Sequence, residues 1–233
     1  STFFWTRGDN ALASIRGDAY PECGPPDAEV VLVARGNEPG WRLDLTDDSL
    51  ILVSDYGESR VEAATPVPEI TGADRRYAVA TDAGELVISI ADRLCADDAT
   101  GMPHPYQVVI EKDGQTLRGC GGDPESLLEG DEWVVEDIVG QRVIEAAPPT
   151  ILFEDGGVSG STSCNRFSAS YELTGEGLTV GLTAVTERAC EDALMAQEDR
   201  FLEILRDLYR FSITPDGALV LHTADERTVT ARR

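Results

Sequence analysis

Gly160-Ser161-Thr162-Ser163-Cys164-Asn165-Arg166-Phe167, with Thr186-Glu187-Arg188-Ala189-Cys190 after it, is the stretch on which the reading of the fold turns. A helical pattern begins directly behind it. Between Glu191 and Tyr209, Leu194, Phe201, Leu202, Leu205 and Leu208 recur largely at three-, four- and seven-residue spacings, which marks a buried stripe. Glu191 and Asp192 suit the start of that helix, and Arg206 and Arg210 suit its end. Strands are predicted on both sides of it, over 132–138, 150–154, 157–160, 168–173, 178–183, 209–214, 218–222 and 227–232. One helix laid on a curved antiparallel sheet is an α+β arrangement.

The first half reads as strands without a long helix. Segments 28–34, 41–45, 49–54, 76–81, 85–91 and 106–112 mix β-branched and aromatic residues with alternation. Asp82-Ala83-Gly84 and Lys112-Asp113-Gly114 punctuate them, and Asp113-Gly114 predicts a hairpin turn. Gly, Pro and acidic residues crowd 121–131, which places a domain boundary there. The expectation is two small antiparallel barrel-like β domains, 1–122 and 128–233, the second with one packed helix.

Composition narrows the function classes. The chain has 233 residues, 42% of them hydrophobic, which suffices for a packed core. Acidic residues outnumber basic ones 43 to 19, for a net charge of −24, and Lys112 is the only lysine. Such a chain is repelled by phosphate backbones and anionic lipid, so nucleic acid is not an expected partner. The charge either keeps the protein soluble or faces a basic partner. The longest apolar runs, such as Val30-Val31-Leu32-Val33-Ala34, fall far short of a membrane span. The chain opens Ser1-Thr2-Phe3-Phe4-Trp5, without a basic segment leading into an apolar one.

The five cysteines are Cys23, Cys95, Cys120, Cys164 and Cys190. None forms a C-x-x-C pair, and only His104 and His222 could join them on a metal, so disulfides in an oxidising compartment are expected. Asp97, Asp98 and Asp155 lie in no ordered acidic loop, and no metal or cofactor is expected. Two Arg-Gly-Asp triplets, at 7–9 and 16–18, are short enough to arise by chance.

Trp133, then Ser159-Gly160 leading to Cys164-Asn165-Arg166-Phe167, then Thr186 to Cys190 and a helix, together resemble the signature of the META, or HslJ-like, domain of bacterial envelope proteins. The resemblance covers about residues 131 to 233. It implies an envelope location, an association with stress and a Cys164–Cys190 disulfide, but no established reaction. Two motifs of the first half, Gly36-Asn37-Glu38-Pro39-Gly40-Trp41 and Cys95-Ala96-Asp97-Asp98-Ala99-Thr100-Gly101 with Gly119-Cys120-Gly121-Gly122, resemble an uncharacterised envelope family. Ala99 stands where that family usually has Met. This second resemblance implies a Cys95–Cys120 disulfide and leaves Cys23 over, with Cys23–Cys120 as the competing pair. The resembling families often follow a lipoprotein signal, so Ser1 is expected just after a lipidated cysteine, in the periplasm or on the outer membrane.

Arg35, Asn37, Glu38 and Trp41 are the candidate ligand surface of the first half, with a Trp platform and an Arg fork. The same residues also read as a tight turn followed by a core tryptophan. Asn165 and Arg166 are the binding candidates of the second half, although an Asn in this setting also bonds its own backbone. No phosphate loop, nucleophile elbow or zinc-protease motif is present, and no catalytic residue is assigned. The expected function is a non-catalytic binding or stress-protection module acting on an unknown envelope protein or ligand. The alternatives are an inhibitor of a basic attacking enzyme such as lysozyme, and an unrecognised hydrolase, which a cleft holding His222, the only histidine of the second half, or a carboxylate with a strongly shifted pKa would favour.

Overall fold

The computed structural model describes residues 3–7, 10–15, 18–19, 30–81 and 84–233. The expectations placed on Ser1, Cys23 and the Asp82-Ala83 turn lie outside these residues, and both Arg-Gly-Asp triplets run into undescribed positions. Strands β1 (Phe3–Arg7), β2 (Asn10–Ile15) and β3 (Asp18–Ala19) pair antiparallel in that order.

A nine-stranded antiparallel sheet follows. Its strands are β4 (Val30–Asn37), β5 (Gly40–Thr46), β6 (Ser49–Ser54), β7 (Ser59–Ala64), β8 (Glu69–Thr71), β9 (Asp74–Thr81) and β10 (Gly84–Ala91). After a short pair, β11 (Cys95–Ala96) and β12 (Pro103–His104), come β13 (Tyr106–Lys112) and β14 (Gln115–Gly121). The spatial order is β7-β6-β5-β4-β14-β13-β10-β9-β8, two meanders joined where β14 meets β4. The sheet curls into a half-barrel because alternate residues point to one face and form a core there. Leu43, Leu45, Leu50, Leu52, Ile88, Ile90, Val108 and Ile110 fill it. The Asp113-Gly114 turn joins β13 to β14 with φ of 53° and 77°, which suits a two-residue hairpin whose second position is Gly.

The second sheet has ten strands. They are β15 (Trp133–Ile138), β16 (Gln141–Arg142), β17 (Thr150–Glu154), β18 (Gly157–Ser161), β19 (Arg166–Thr174), β20 (Gly177–Val180), β21 (Ala184–Val185), β22 (Leu208–Ile213), β23 (Leu219–Thr223) and β24 (Thr228–Arg232). The order β20-β19-β18-β17-β15-β24-β23-β22 brings β20 alongside β22 and nearly closes a barrel. Gly177 makes that approach possible, since a Cβ there would lie 2.2 Å from the Tyr209 carbonyl oxygen. Helix α1 (Asp192–Arg206) packs Phe201, Ile204 and Leu205 into the barrel core with Phe153, Phe211 and Leu219.

Three sequence expectations change. The helix ends at Arg206, so Leu208 and Arg210 belong to β22, where Leu208 is buried as a strand residue. The predicted strand over 178–183 is shorter, and a separate β21 pairs with β19. Strands β7 and β8 lie outside the predicted segments, because Ser59–Ala64 and Glu69–Thr71 are short and largely exposed, while β14 supplies the second arm of the hairpin expected at Asp113-Gly114.

The punctuated stretch over 121–131 is packed. Pro124–Leu127 forms a 3-10 turn, Leu128 is fully buried in the second core, and the Tyr171 hydroxyl donates to Glu125 at 2.5 Å. Met102, from the loop between β11 and β12, is buried in that same core. The first half thus contributes a side chain to the second core.

Leu205→Ala is expected to cost about 2–5 kcal/mol in urea unfolding, the usual range for emptying a buried leucine site. A loss below about 0.5 kcal/mol would contradict the packing of α1. A fragment of residues 123–233 is expected to fold alone with dispersed amide resonances, and Met102→Ala in the whole chain to lower the stability of the second barrel. A collapsed, undispersed spectrum for the fragment would show that the two halves fold only together.

Candidate functional site

The signature residues of the second half converge beneath the first turns of α1. Glu198, only 4% exposed, accepts hydrogen bonds on its carboxylate from the Thr162 hydroxyl, the Asn165 backbone N–H at 3.0 Å and the Asn165 side-chain amide at 2.9 Å. A buried carboxylate is costly unless its oxygens are hydrogen-bonded, and here both are. Asn165 also donates to the Arg188 carbonyl at 3.2 Å, while its amide oxygen accepts from the Thr186 hydroxyl at 2.9 Å and the Arg188 N–H at 2.7 Å. That exhausts the two donors and two lone pairs of the side chain.

The neighbouring Gln197, 1% exposed, performs the same task toward another loop. It accepts from the Ile144 N–H at 2.8 Å and donates to the Ala147 carbonyl at 3.1 Å and the Ser163 hydroxyl at 2.7 Å. Ser163 sits at φ 99°, a conformation disfavoured for serine and held here by these contacts. The Cys164–Cys190 disulfide, with Cα atoms 6.0 Å apart, ties the same loop to the residue before the helix cap.

Arg166 faces outward instead, and lines a groove of about 460 Å³ on the outer side of the barrel. Leu152, Ser159, Ser168, Val185 and Glu132 line it as well, with Glu132 and Arg166 at opposite sides of the strand register. The sequence reading placed Asn165 and Arg166 together as binding residues. The structure separates them: one is internal and fully bonded, and the side chain of the other faces the surface with no partner among the described residues.

In the first half, Trp41 is buried and donates its indole N–H to the Arg118 carbonyl at 3.2 Å. It lies against two glycines. A Cβ on Gly36 would fall 2.2 Å from the indole nitrogen, and one on Gly119 would fall 2.7 Å from the ring. The Trp and the Gly residues of the two motifs therefore build one packing unit. Asn37 donates to Asp97 at 3.0 Å and to Asp98, fixing the loop that carries Met102, while Arg35 and Glu38 are exposed. The Asp97 carboxyl is held below its ordinary range; burial opposes this, but the Thr100 N–H, Asn37 and Ala99 outweigh it. Cys95 and Cys120 are bonded, with Cα atoms 5.4 Å apart, and His104 shares a hydrogen with the Gly122 carbonyl at 2.9 Å.

His222 lies 2.9 Å from the Ser212 hydroxyl through Nε2, the reach of a nucleophile and base. Its buried Nδ1 has no hydrogen-bond partner among the described residues, so the third group that orients the base in a triad is not among them. Burial first, and then Arg210, push its pKa below the ordinary 6.5, against a smaller opposing pull from Glu226.

Two predictions rest on this geometry. Asn165→Ala should destabilise by about 3 kcal/mol or more, because it strips donors from a buried carboxylate and orphans the Arg188 N–H. A change under about 1 kcal/mol in thermal or urea unfolding would sink that account of the network. For His222 the folded pKa is depressed. Between 6.5 and the lower folded value, the unfolded chain binds a proton that the folded chain does not. The stabilisation is therefore fully present above 6.5 and is lost as pH falls through the folded pKa. His222→Gln should accordingly lose less stability than the parent between pH 7.5 and pH 5, and equal losses would refute the assignment.

Comparison with known proteins bears on the second half. Residues 126–233 match the META domain. The chain is also similar to the NMR structure of a protein from Burkholderia xenovorans, at 24% identity over 47% of this chain and 85% of that one, with a TM-score of 0.42. A second NMR structure is 30% identical over 46% of this chain and 92% of its own, with a TM-score of 0.40. No curated protein matches. The likeness of residues 126–233 to the META domain therefore rests on the domain match, and the Cys164-Asn165, Glu198 and Cys190 network described above lies within it.

Proposed function

We propose that this protein is a non-catalytic binding module of the bacterial envelope, located in the periplasm or held at the outer membrane by a lipid anchor, and that it acts in stress protection. The observation that carries the reading is the engagement of the signature groups with one another. Cys164 and Asn165 of that signature and Glu198 of the helix behind it, the groups best suited to chemistry, are bonded inside the barrel, and the surface beside them is a groove. Two disulfides fit an extracytoplasmic compartment. The META match over residues 126–233 points the same way.

The oxidised chain immobilised on resin is expected to retain an envelope component at physiological salt, and Ser168→Trp, which fills the groove, to abolish that retention without loss of fold. Retention that Ser168→Trp leaves intact would remove the groove from the reading. Surface charge favours a second reading, inhibition of a basic enzyme. With a net charge of −24, association with such a target should be fast at low salt and weaken as salt screens it. Lysozyme activity measured against an excess of the protein, at low and physiological salt, decides this for lysozyme; full activity at both eliminates it.

A further inference from the structure

We infer that the groove on the second barrel binds a short extended peptide with a free carboxylate and a free ammonium end, an inference that rests on the binding reading above. The register lays the surface out. Leu152 on β17 pairs with Ser159 on β18, Ser159 with Ser168 on β19, and Ser168 with Ala184 on β21. Arg166 lies two residues along β19 from Ser168 and pairs with Ser161. Glu132 directly precedes the Trp133 and Ile151 pair, at the opposite side.

The two charges at the ends are both available. Some arginines of this acidic surface hold carboxylates, Arg227 at 2.6 Å from Asp207 and Arg232 at 2.5 Å from Asp216; Arg35, Arg118, Arg142, Arg188 and Arg206 make no ion pair among the described residues, but none of them lines the groove. Among the described residues, the Arg166 guanidinium makes no such pair, and neither does the Glu132 carboxylate. A guanidinium fork with no internal partner suits an incoming carboxylate, which it can hold by two parallel hydrogen bonds. A carboxylate at the other end suits an ammonium.

Their separation sets the ligand. Three strand-to-strand steps of about 4.8 Å and an offset of two residues put the two Cα positions roughly 15 Å apart. Side chains stand roughly perpendicular to a sheet, so the two charged ends keep about that separation; allowing a hydrogen bond of about 2.9 Å at each end leaves roughly 10 Å, which about three extended residues at roughly 3.3 Å each span. The hydroxyls of Ser159 and Ser168 make no hydrogen bond among the described residues and face the groove, where peptide groups would lie. Leu152 and Val185 offer apolar contact for small side chains. Net charge selects further: a chain at −24 repels a simple anion at long range, whereas a zwitterion carries no net charge to be repelled.

The test is an amide-resonance titration of the whole chain with trialanine, N-acetyl-trialanine and trialanine amide. Trialanine is expected to shift the resonances of Ser159, Gly160, Ser168 and Val185, with a dissociation constant on the order of 1 mM. Blocking either end should weaken binding about tenfold. Arg166→Gln should abolish discrimination against the amide, and Glu132→Gln discrimination against the acetylated peptide. Equal binding of all three peptides, or no shift in the groove, overturns the inference. If the peptides fail while Ser168→Trp still abolishes envelope retention, the groove serves a different ligand and only this inference falls. If Ser168→Trp leaves retention unchanged, the binding role of the groove falls with it.

Discussion

The Glu198 carboxylate, buried under α1 and bonded by Thr162 and Asn165, is the constraint on which the second barrel depends. A charge out of water demands donors from fixed directions. Those donors come from the turn between β18 and β19, so helix and turn can occupy only one relative position. Asn165 then passes the constraint on, through the Arg188 backbone and Thr186, to the segment after β21. The disulfide fixes the same segment covalently. Three pieces of chain distant in sequence are thereby located, and the apolar contacts of Phe201, Ile204 and Leu205 follow from that placement.

The first sheet uses a different device, a large ring accommodated by missing side chains. The indole of Trp41 occupies space that Cβ atoms on Gly36 and Gly119 would take, which draws β4, β5 and β14 together at the centre of the half-barrel. Cys120, one residue beyond Gly119, bonds Cys95 and so brings the loop between β11 and β12 to the same place. Asn37 holds that loop through Asp97 and Asp98, and Met102 at its tip enters the other core. A motif that reads as a ligand surface is in this way also the route by which the two halves touch.

Internal use of the polar signature leaves recognition to the outer face of the barrel. The charges there divide by whether they are satisfied. Arg227 and Arg232 lie among carboxylates and hold the surface of the sheet together at small energetic gain, as exposed pairs do. Arg166 and Glu132 border a concave surface and make no ion pair among the described residues.

Periodicity by itself determined the β-rich class, the position of the one helix among the described residues and most strands, because alternation and the 3.6-residue stripe are local consequences of which face is buried. The resemblance supplied the two disulfide pairs, which spacing alone left open. One tertiary fact was written in the helix but passed over. The stripe runs from Leu194 to Phe201 with a gap of seven, and Gln197 and Glu198 fill that gap on the inward face. Polar residues at core positions signal buried partners, but not which ones. Only the folded chain could show that Asn165 turns inward and its neighbour Arg166 outward, since adjacent residues leaving a turn for a strand take opposite faces once the register is set. The same holds for the groove: its lining comes from strands that meet only through long-range pairing, and no local pattern encodes their meeting.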